Sequence, residues 1–499
     1  EKAVLLTFDD GYRSFHDIVF PLLKLYDFPA VQAVVGSWLD VPAGGRVPYG
    51  NITLPRERFL TWDQVKTLDE SPLVEIASHS YNLHYGVVGN PMGNEQAAAV
   101  TSMWNTRSGY ESEADYLERI RNDMARTRQR FQEQLGSTPR IMVWPYGAYS
   151  EATLNLAAEY GMNYTFSLLS APNQLQDSMR SMNRYLIDQE TTLETIEEIL
   201  SNRVWENEEQ RIVHVDLDYV FDPDPIQQEQ NLDRLIERIS RYGVSTVYLQ
   251  AYADPDGDGV ADALYFPNRH LPVRADLFNR VAWQLKKRAN VKVYAWMPVL
   301  SFDLGDSYQY VIDVRTGSES PDHYRRLSPY VAKNRNIISE IYQDLGRLTK
   351  FDGLLFHDDA FFTDFEDASP EALTTYERAS LPRDINAIRN DENLMSIWAR
   401  LKTEYLTDFT LELAQAANYY RQADNKVFTT SRNLYAVTVM EPRSQRWFAQ
   451  DLQNFAANYD FVAVMAMPYM EEAENPNEWL RGLAKRSLAQ VGADQLVFE

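Results

Sequence analysis

The chain has 499 residues, with 48 Lys and Arg against 72 Asp and Glu, for a formal net charge of −24. At roughly 150 residues per domain this length calls for two or three domains, and a charge of this sign repels a polyanion, which excludes a general nucleic-acid binder and favours a neutral or cationic partner. A hydrophobic share of 44% excludes wholesale disorder, and the absence of Cys excludes disulfides, thiol catalysis and Cys-based zinc sites.

Glu1-Lys2 runs directly into an apolar strand without Met, a basic n-region or an h-region, so any signal peptide or lipid-anchor Cys is expected upstream. No apolar run approaches the ~18–20 residues that would span a bilayer. Strand-like runs then alternate with helical stretches, the pattern of parallel α/β folds. The first strands are expected at Val4–Phe8, Ala30–Val35, Leu73–Ala77, Ile141–Trp144 and Tyr164–Ser167. Glu113–Leu135 is the clearest amphipathic helix, and Glu194–Arg203 closes the set. A polar stretch, Glu206–Gln210, marks a boundary near 205–211 and predicts domains 1–207 and 208–499.

Beyond it, strands are expected at Ile212–Leu217, Thr246–Ala251, Val291–Pro298, Gly353–Phe356, Val427–Thr430, Phe461–Met467 and Gln495–Phe498. Gln227–Tyr242, Leu277–Ala289, Ile337–Leu348 and Met395–Ala417 are the helices between them. This alternation predicts a (β/α)8 TIM-like barrel, whose chemistry sits at the C-terminal ends of strands. Pro321–Pro329 and Thr363–Arg383 read as irregular insertions that line its groove.

Three segments of the first part carry chemistry. In Thr7-Phe8-Asp9-Asp10-Gly11, two adjacent acids at a strand end point in different directions, so one can bind a metal while the other faces a substrate. In Ser78-His79-Ser80-Tyr81-Asn82-Leu83-His84, both imidazoles converge if the loop curls. One carboxylate and two imidazoles leave open positions on a divalent ion, as a catalytic site requires. Trp144-Pro145-Tyr146-Gly147 also ends a strand and can supply a groove wall and a backbone N–H for a developing oxyanion.

Together these segments resemble the first three motifs of the carbohydrate esterase family 4 polysaccharide deacetylases. The resemblance implies a distorted, N-terminally truncated (β/α)7-type barrel with Asp9 as general base. Asp10, His79 and His84 are then ligands of one divalent ion (Zn, Co, Ni or Fe), and Trp144 and Tyr146 contact the substrate. The His spacing is one residue longer than the commonest form, and the third motif lacks the Arg usual two residues before its Pro. Longer stretches, among them AVLLTFDDGYRSF, EIASHSYNLHYG, HVDLDYV, STVYLQAYADPDGDG, YAWMPVLSFDL and DGLLFHDDA, are similar to the two-domain N-deacetylases of poly-β-1,6-N-acetyl-D-glucosamine (PNAG), a biofilm exopolysaccharide. This wider likeness implies a periplasmic protein tethered to the outer membrane by an upstream lipid anchor. It further implies PNAG and its partly deacetylated form as ligands, an outer-membrane export porin as partner, and a general-acid His in an upstream segment.

The second part has acids at its own strand ends. Alternation places His214, Asp216 and Asp218 on one face. Asp358-Asp359 ends a middle strand, and Arg432-Asn433 and Tyr469-Met470-Glu471 follow later ones. Acids there also cap helices, the structural alternative. The likeness implies a family 153 glycoside hydrolase, with Asp358 or Asp359 as acid and Asp216, Asp218, Trp296, Arg432, Asn433, Tyr469 and Glu471 gripping the sugar. Retaining, inverting and substrate-assisted mechanisms stay open. Asp254-Pro255-Asp256-Gly257-Asp258 resembles the start of an EF-hand calcium loop, but its twelfth position is Tyr265 rather than Glu, so a structured turn is expected. Two other readings stand beside this one: a second domain that binds polymer without cutting it, and a first domain acting on chitin oligomers or peptidoglycan.

Overall fold

The computed structural model describes residues 3–174, 178–201, 210–423 and 427–499. The chain divides into two compact units, Glu1–Glu208 with Tyr419–Val427, and Glu209–Asn418 with Phe428–Glu499. The expected boundary falls largely outside the described residues, as does the end of the helix expected at Glu194–Arg203, which runs over Leu193–Ser201. Tyr419–Val427 groups with the first unit, which no single cut in the sequence anticipates. Reciprocal backbone bonds between Tyr149 and Ala423, at 3.0 and 2.7 Å, hold it there.

The first unit is built on five parallel strands in chain order, β1 (Leu6–Phe8), β2 (Ala30–Val34), β3 (Val74–Ser78), β4 (Ile141–Val143) and β5 (Tyr164–Phe166). β2 is buried at every residue, as a parallel strand covered on both faces must be. Its one polar member, Gln32, donates to the Ala33 carbonyl at 2.9 Å. Helix α1 (Glu113–Leu135) begins at a Ser112 cap, ends at Gly136 with φ 75°, and buries Tyr116, Ile120, Met124 and Phe131. The register pairs Phe8 with Gln32, Val34 with Ser78 and Ser78 with Met142. The C-terminal ends of β1, β3 and β4 therefore share one edge, and the residues that follow them leave the sheet together.

The second unit holds seven parallel strands, also in chain order: β6 (Ile212–Val215), β7 (Thr246–Gln250), β8 (Lys292–Met297), β9 (Gly353–Phe356), β10 (Thr429–Tyr435), β11 (Phe461–Met465) and β12 (Leu496–Phe498). The α/β class is as expected, with each sheet a curled half-barrel. Seven strands among the described residues match the seven expected and form a curled sheet consistent with a TIM-like barrel, with β6 and β12 outermost. β10 runs further than Val427–Thr430 because its polar residues are satisfied inside: Ser431 accepts from Tyr248, Arg432 donates to the Ala360 carbonyl and Asn433 to Glu499. Thr363–Arg383 is not an irregular groove lining. Thr363, Glu366, Asp367 and Ser369 are buried, and Pro370–Arg378 is an α-helix. Among the described residues no helix is long and apolar enough to cross a membrane.

Candidate active sites

At the shared edge of the first sheet, the backbone turns sharply after β1, and Asp10 adopts a left-handed φ of 72°. The turn brings Asp10 Oδ1 to 3.4 Å from His79 Nε2 and 3.3 Å from His84 Nε2. His79 Nδ1 donates to the Val143 carbonyl at 2.7 Å, which fixes the tautomer and leaves Nε2 a free lone pair. Burial holds the His84 imidazole below its usual pKa, in the neutral form a ligand needs. Asp10 Oδ1 is buried and accepts no hydrogen bond among the described residues. Such an orphaned carboxylate oxygen between two imidazole nitrogens fits a divalent cation.

Two backbone N–H groups, of Tyr81 and Asn82, donate to Asp123 of α1 at 2.9 and 2.6 Å and curl the loop so that its two imidazoles converge. Burial pushes the Asp123 carboxyl up to about 6 despite these bonds. Asp9 faces a different way. Arg184 grips both of its oxygens, at 2.8 and 3.0 Å, and also donates to the Ser167 carbonyl at 2.9 Å. Burial works against the Asp9 charge, yet the Arg184 guanidinium, bonded to both oxygens, helps to keep the carboxyl below its usual range. Tyr146, with φ 59°, sets its ring 4.6 Å from that of His84 and is 45% exposed, open to a ligand. Trp144 is a correction: the indole is fully buried in the core beneath the site and forms no groove wall. Arg184 and Tyr49, whose hydroxyl donates to Asp10 Oδ2 at 2.9 Å, lie outside every motif, and nothing local in the sequence signals them.

In the second unit Asp358 and Asp359 part company. Asp359 is fully buried and accepts from the N–H groups of Val299, Leu300 and Ser301 at 2.6–3.0 Å, so it anchors the loop after β8 and has no route to a sugar. Asp358 has its Oδ1 3.0 Å from His357 Nδ1 and accepts on Oδ2 from Tyr435 at 3.1 Å. Beside it, a cavity of about 400 Å³ is lined by Asp258, Asp322, His323, Tyr324, Phe361 and Tyr435. Tyr324, Tyr435 and His357, 3.0 Å from Asp358, escaped the sequence reading; only the position of His357 directly before the acid pair hinted at it.

Arg432 and Asn433 are also corrections, since both are buried and committed to protein partners. Asp218 is engaged by Tyr265, Arg274, Gln250 and the Asp254 N–H. Asp216 caps the Asp218 N–H at 2.8 Å, and burial raises its carboxyl pKa. Trp296 is half-buried with His214, Tyr252 and His357 around it, while Tyr469 and Glu471 are exposed after β11. Asp254 accepts from the N–H groups of Gly257, Asp258 and Gly259, the structured turn that the sequence suggested.

A parallel sheet whose strand ends converge an acid and two imidazoles, next to an acid held by an arginine, is the architecture of a polysaccharide deacetylase, a metal-dependent hydrolase. Residues 1–165 match the polysaccharide deacetylase family, and residues 214–499 match hypothetical glycosyl hydrolase family 13. The chain is 43% identical over 491 residues to a poly-beta-1,6-N-acetyl-D-glucosamine N-deacetylase of Escherichia coli K12, covering 96% of this chain and 72% of that protein. The protein of the same name from Escherichia coli O157:H7 is 42% identical over the same shares of both chains. The glycoside hydrolase domain of PgaB (BpsB) from Bordetella bronchiseptica superposes with a TM-score of 0.55 at 50% identity, covering 58% of this chain and 83% of that one. The chain belongs to the poly-β-1,6-N-acetyl-D-glucosamine N-deacetylase family.

Proposed function

We propose that the first unit hydrolyses N-acetyl groups of PNAG, and that the second binds the partly deacetylated polymer and cuts it with Asp358 as acid. The observation that carries the first half is the convergence of Asp10, His79 and His84 beside the Arg184-held Asp9. Asp10, His79 and His84 would hold a divalent ion, with Zn, Co, Ni and Fe all suited to one carboxylate and two imidazoles. When bound, such an ion supplies Lewis-acid polarisation and acidifies water. Asp9 accepts the proton of the water that adds to the acetyl carbon, while the Arg184 fork keeps the Asp9 carboxylate aimed. The C–N bond then breaks to release acetate, and the departing nitrogen takes up a proton to leave as the amine. Tyr146 closes the site on the side of His84 and is placed to meet the acetyl group.

Each turnover exposes an amine that is cationic near neutral pH, and a chain of charge −24 holds such a product better than the neutral substrate. In the second unit, the exposed Asp258 and Asp322 in the cavity wall beside Asp358 support recognition of that amine. The setting that follows is the periplasm, with lipid tethering to the outer membrane and hand-over to an export porin, which co-purification from membranes would test. The decisive experiment is acetate release from β-1,6-linked against β-1,4-linked N-acetylglucosamine oligomers, with product length followed in parallel. Equal acetate release from both linkages refutes the substrate, and deacetylated product of undiminished length refutes the cutting.

A further inference from the structure

We infer that Tyr49 is a positioning residue for Asp10, holding the carboxylate so that one chosen oxygen, Oδ1, faces the two imidazoles. The inference rests on the ligand reading above. Asp10 sits at a left-handed φ of 72°, beyond the end of a strand, so no regular backbone pairing fixes the direction of its side chain. Its two oxygens have opposite surroundings. Oδ1 takes no hydrogen bond and lies 3.3 and 3.4 Å from the imidazole nitrogens, whereas Oδ2 accepts the Tyr49 hydroxyl at 2.9 Å. Occupied in this way, Oδ2 is withdrawn from metal binding and Oδ1 alone is left to serve.

The hydroxyl is itself held in place. Tyr49 ends a hairpin formed by Arg46–Tyr49 and Ile52–Pro55. Its ring stacks on that of His84, with centroids 6.0 Å apart and planes 23° from parallel. Trp38 and Tyr12 enclose it at 5.4 and 6.1 Å. One side chain thus touches the acid through its oxygen and an imidazole through its ring, so the hairpin sets the mutual orientation of two groups that come from separate strand ends. Groups behind a ligand act by orienting it, and their loss typically weakens metal binding ~10–100-fold.

The test uses the full chain carrying Tyr49→Phe, which keeps the ring packing and removes only the hydroxyl. Zn(II) affinity is measured by chelator competition, well below the melting point of the metal-free protein, and the visible spectrum is recorded with Co(II) bound. The expected result is a 10–100-fold weaker Zn(II) affinity and a displaced Co(II) spectrum, with Tyr26→Phe, at an exposed ring, behaving as wild type. Zn(II) affinity within threefold of wild type with an unchanged Co(II) spectrum overturns the inference. A parallel His79→Ala arm separates the two levels: if it too retains the ion, the ligand set is wrong, and if it loses the ion while Tyr49→Phe does not, only the role of Tyr49 falls.

Discussion

Replacing Arg184 by Met tests whether Asp9 works as a held base. Arg184 gives Asp9 two charge-assisted hydrogen bonds, at 2.8 and 3.0 Å, and the two side chains are only 9% and 29% exposed. A hydrogen bond to a charged group contributes about 1.5–3 kcal/mol, and the pair shares one geometry, so the net loss is close to one such bond rather than two. At about 1.4 kcal/mol per factor of ten, kcat/KM for deacetylation should fall roughly 10–100-fold. Metal content should not change, because Arg184 donates to Asp9, Thr7 and the Ser167 carbonyl and to none of Asp10, His79 or His84. Arg184→Lys keeps the charge without the fork and should recover only part of the rate. The assay is acetate release from PNAG oligomers, with metal stoichiometry measured on the same samples. In an Asp9→Asn background the Arg184→Met step should cost less than threefold, since the group it serves is already disabled. A full additive loss in that background, or a single mutant that has shed its metal, would refute the pairing as the cause.

His79→Ala should remove metal and deacetylation together, whereas Asp9→Asn should keep the metal and lower the rate by ~10²–10⁴-fold, both read by metal analysis beside acetate release. Asp358→Asn should abolish shortening of partly deacetylated polymer, an activity that chelator treatment leaves intact, and fully acetylated polymer should be a poor substrate for it. Asp359→Ala should instead lower the melting temperature, by a loss on the order of 3 kcal/mol, because three backbone N–H groups lose a buried acceptor. For Asp123, a carboxyl pushed up to about 6 means that the folded chain holds its proton more tightly than the unfolded one. Its ionisation therefore costs stability, fully so above pH 6, and the cost is relieved as pH falls from 6 towards 4. Wild type should gain on Asp123→Asn by about 2–3 kcal/mol over that window in denaturant titrations, and parallel profiles would show that burial is not what raises the group.

The three motifs of the first unit were legible in the sequence because each is a short run directly after an apolar strand. A parallel α/β sheet delivers such strand ends to one edge whatever the intervening loops do. The alternation of strand and helix likewise set the order of both sheets, as a parallel pairing of successive strands requires. What local sequence does not carry is the direction of a side chain once the strand has ended. Trp144, Asp359, Arg432 and Asn433 stand beside candidate site residues in sequence, yet tertiary packing turned them into the core, where each is covered or bonded by protein. The reverse holds for Arg184, Tyr49 and Tyr435. Arg184 reaches Asp9 across a sequence separation of 175, Tyr49 reaches Asp10 across 39, and Tyr435 reaches Asp358 across 77. A contact of that span leaves no periodicity or spacing to read, because it is made only when the sheet has brought distant loops to the same edge. Which residue types could do the chemistry was therefore written locally, and which ones face the substrate was decided by packing.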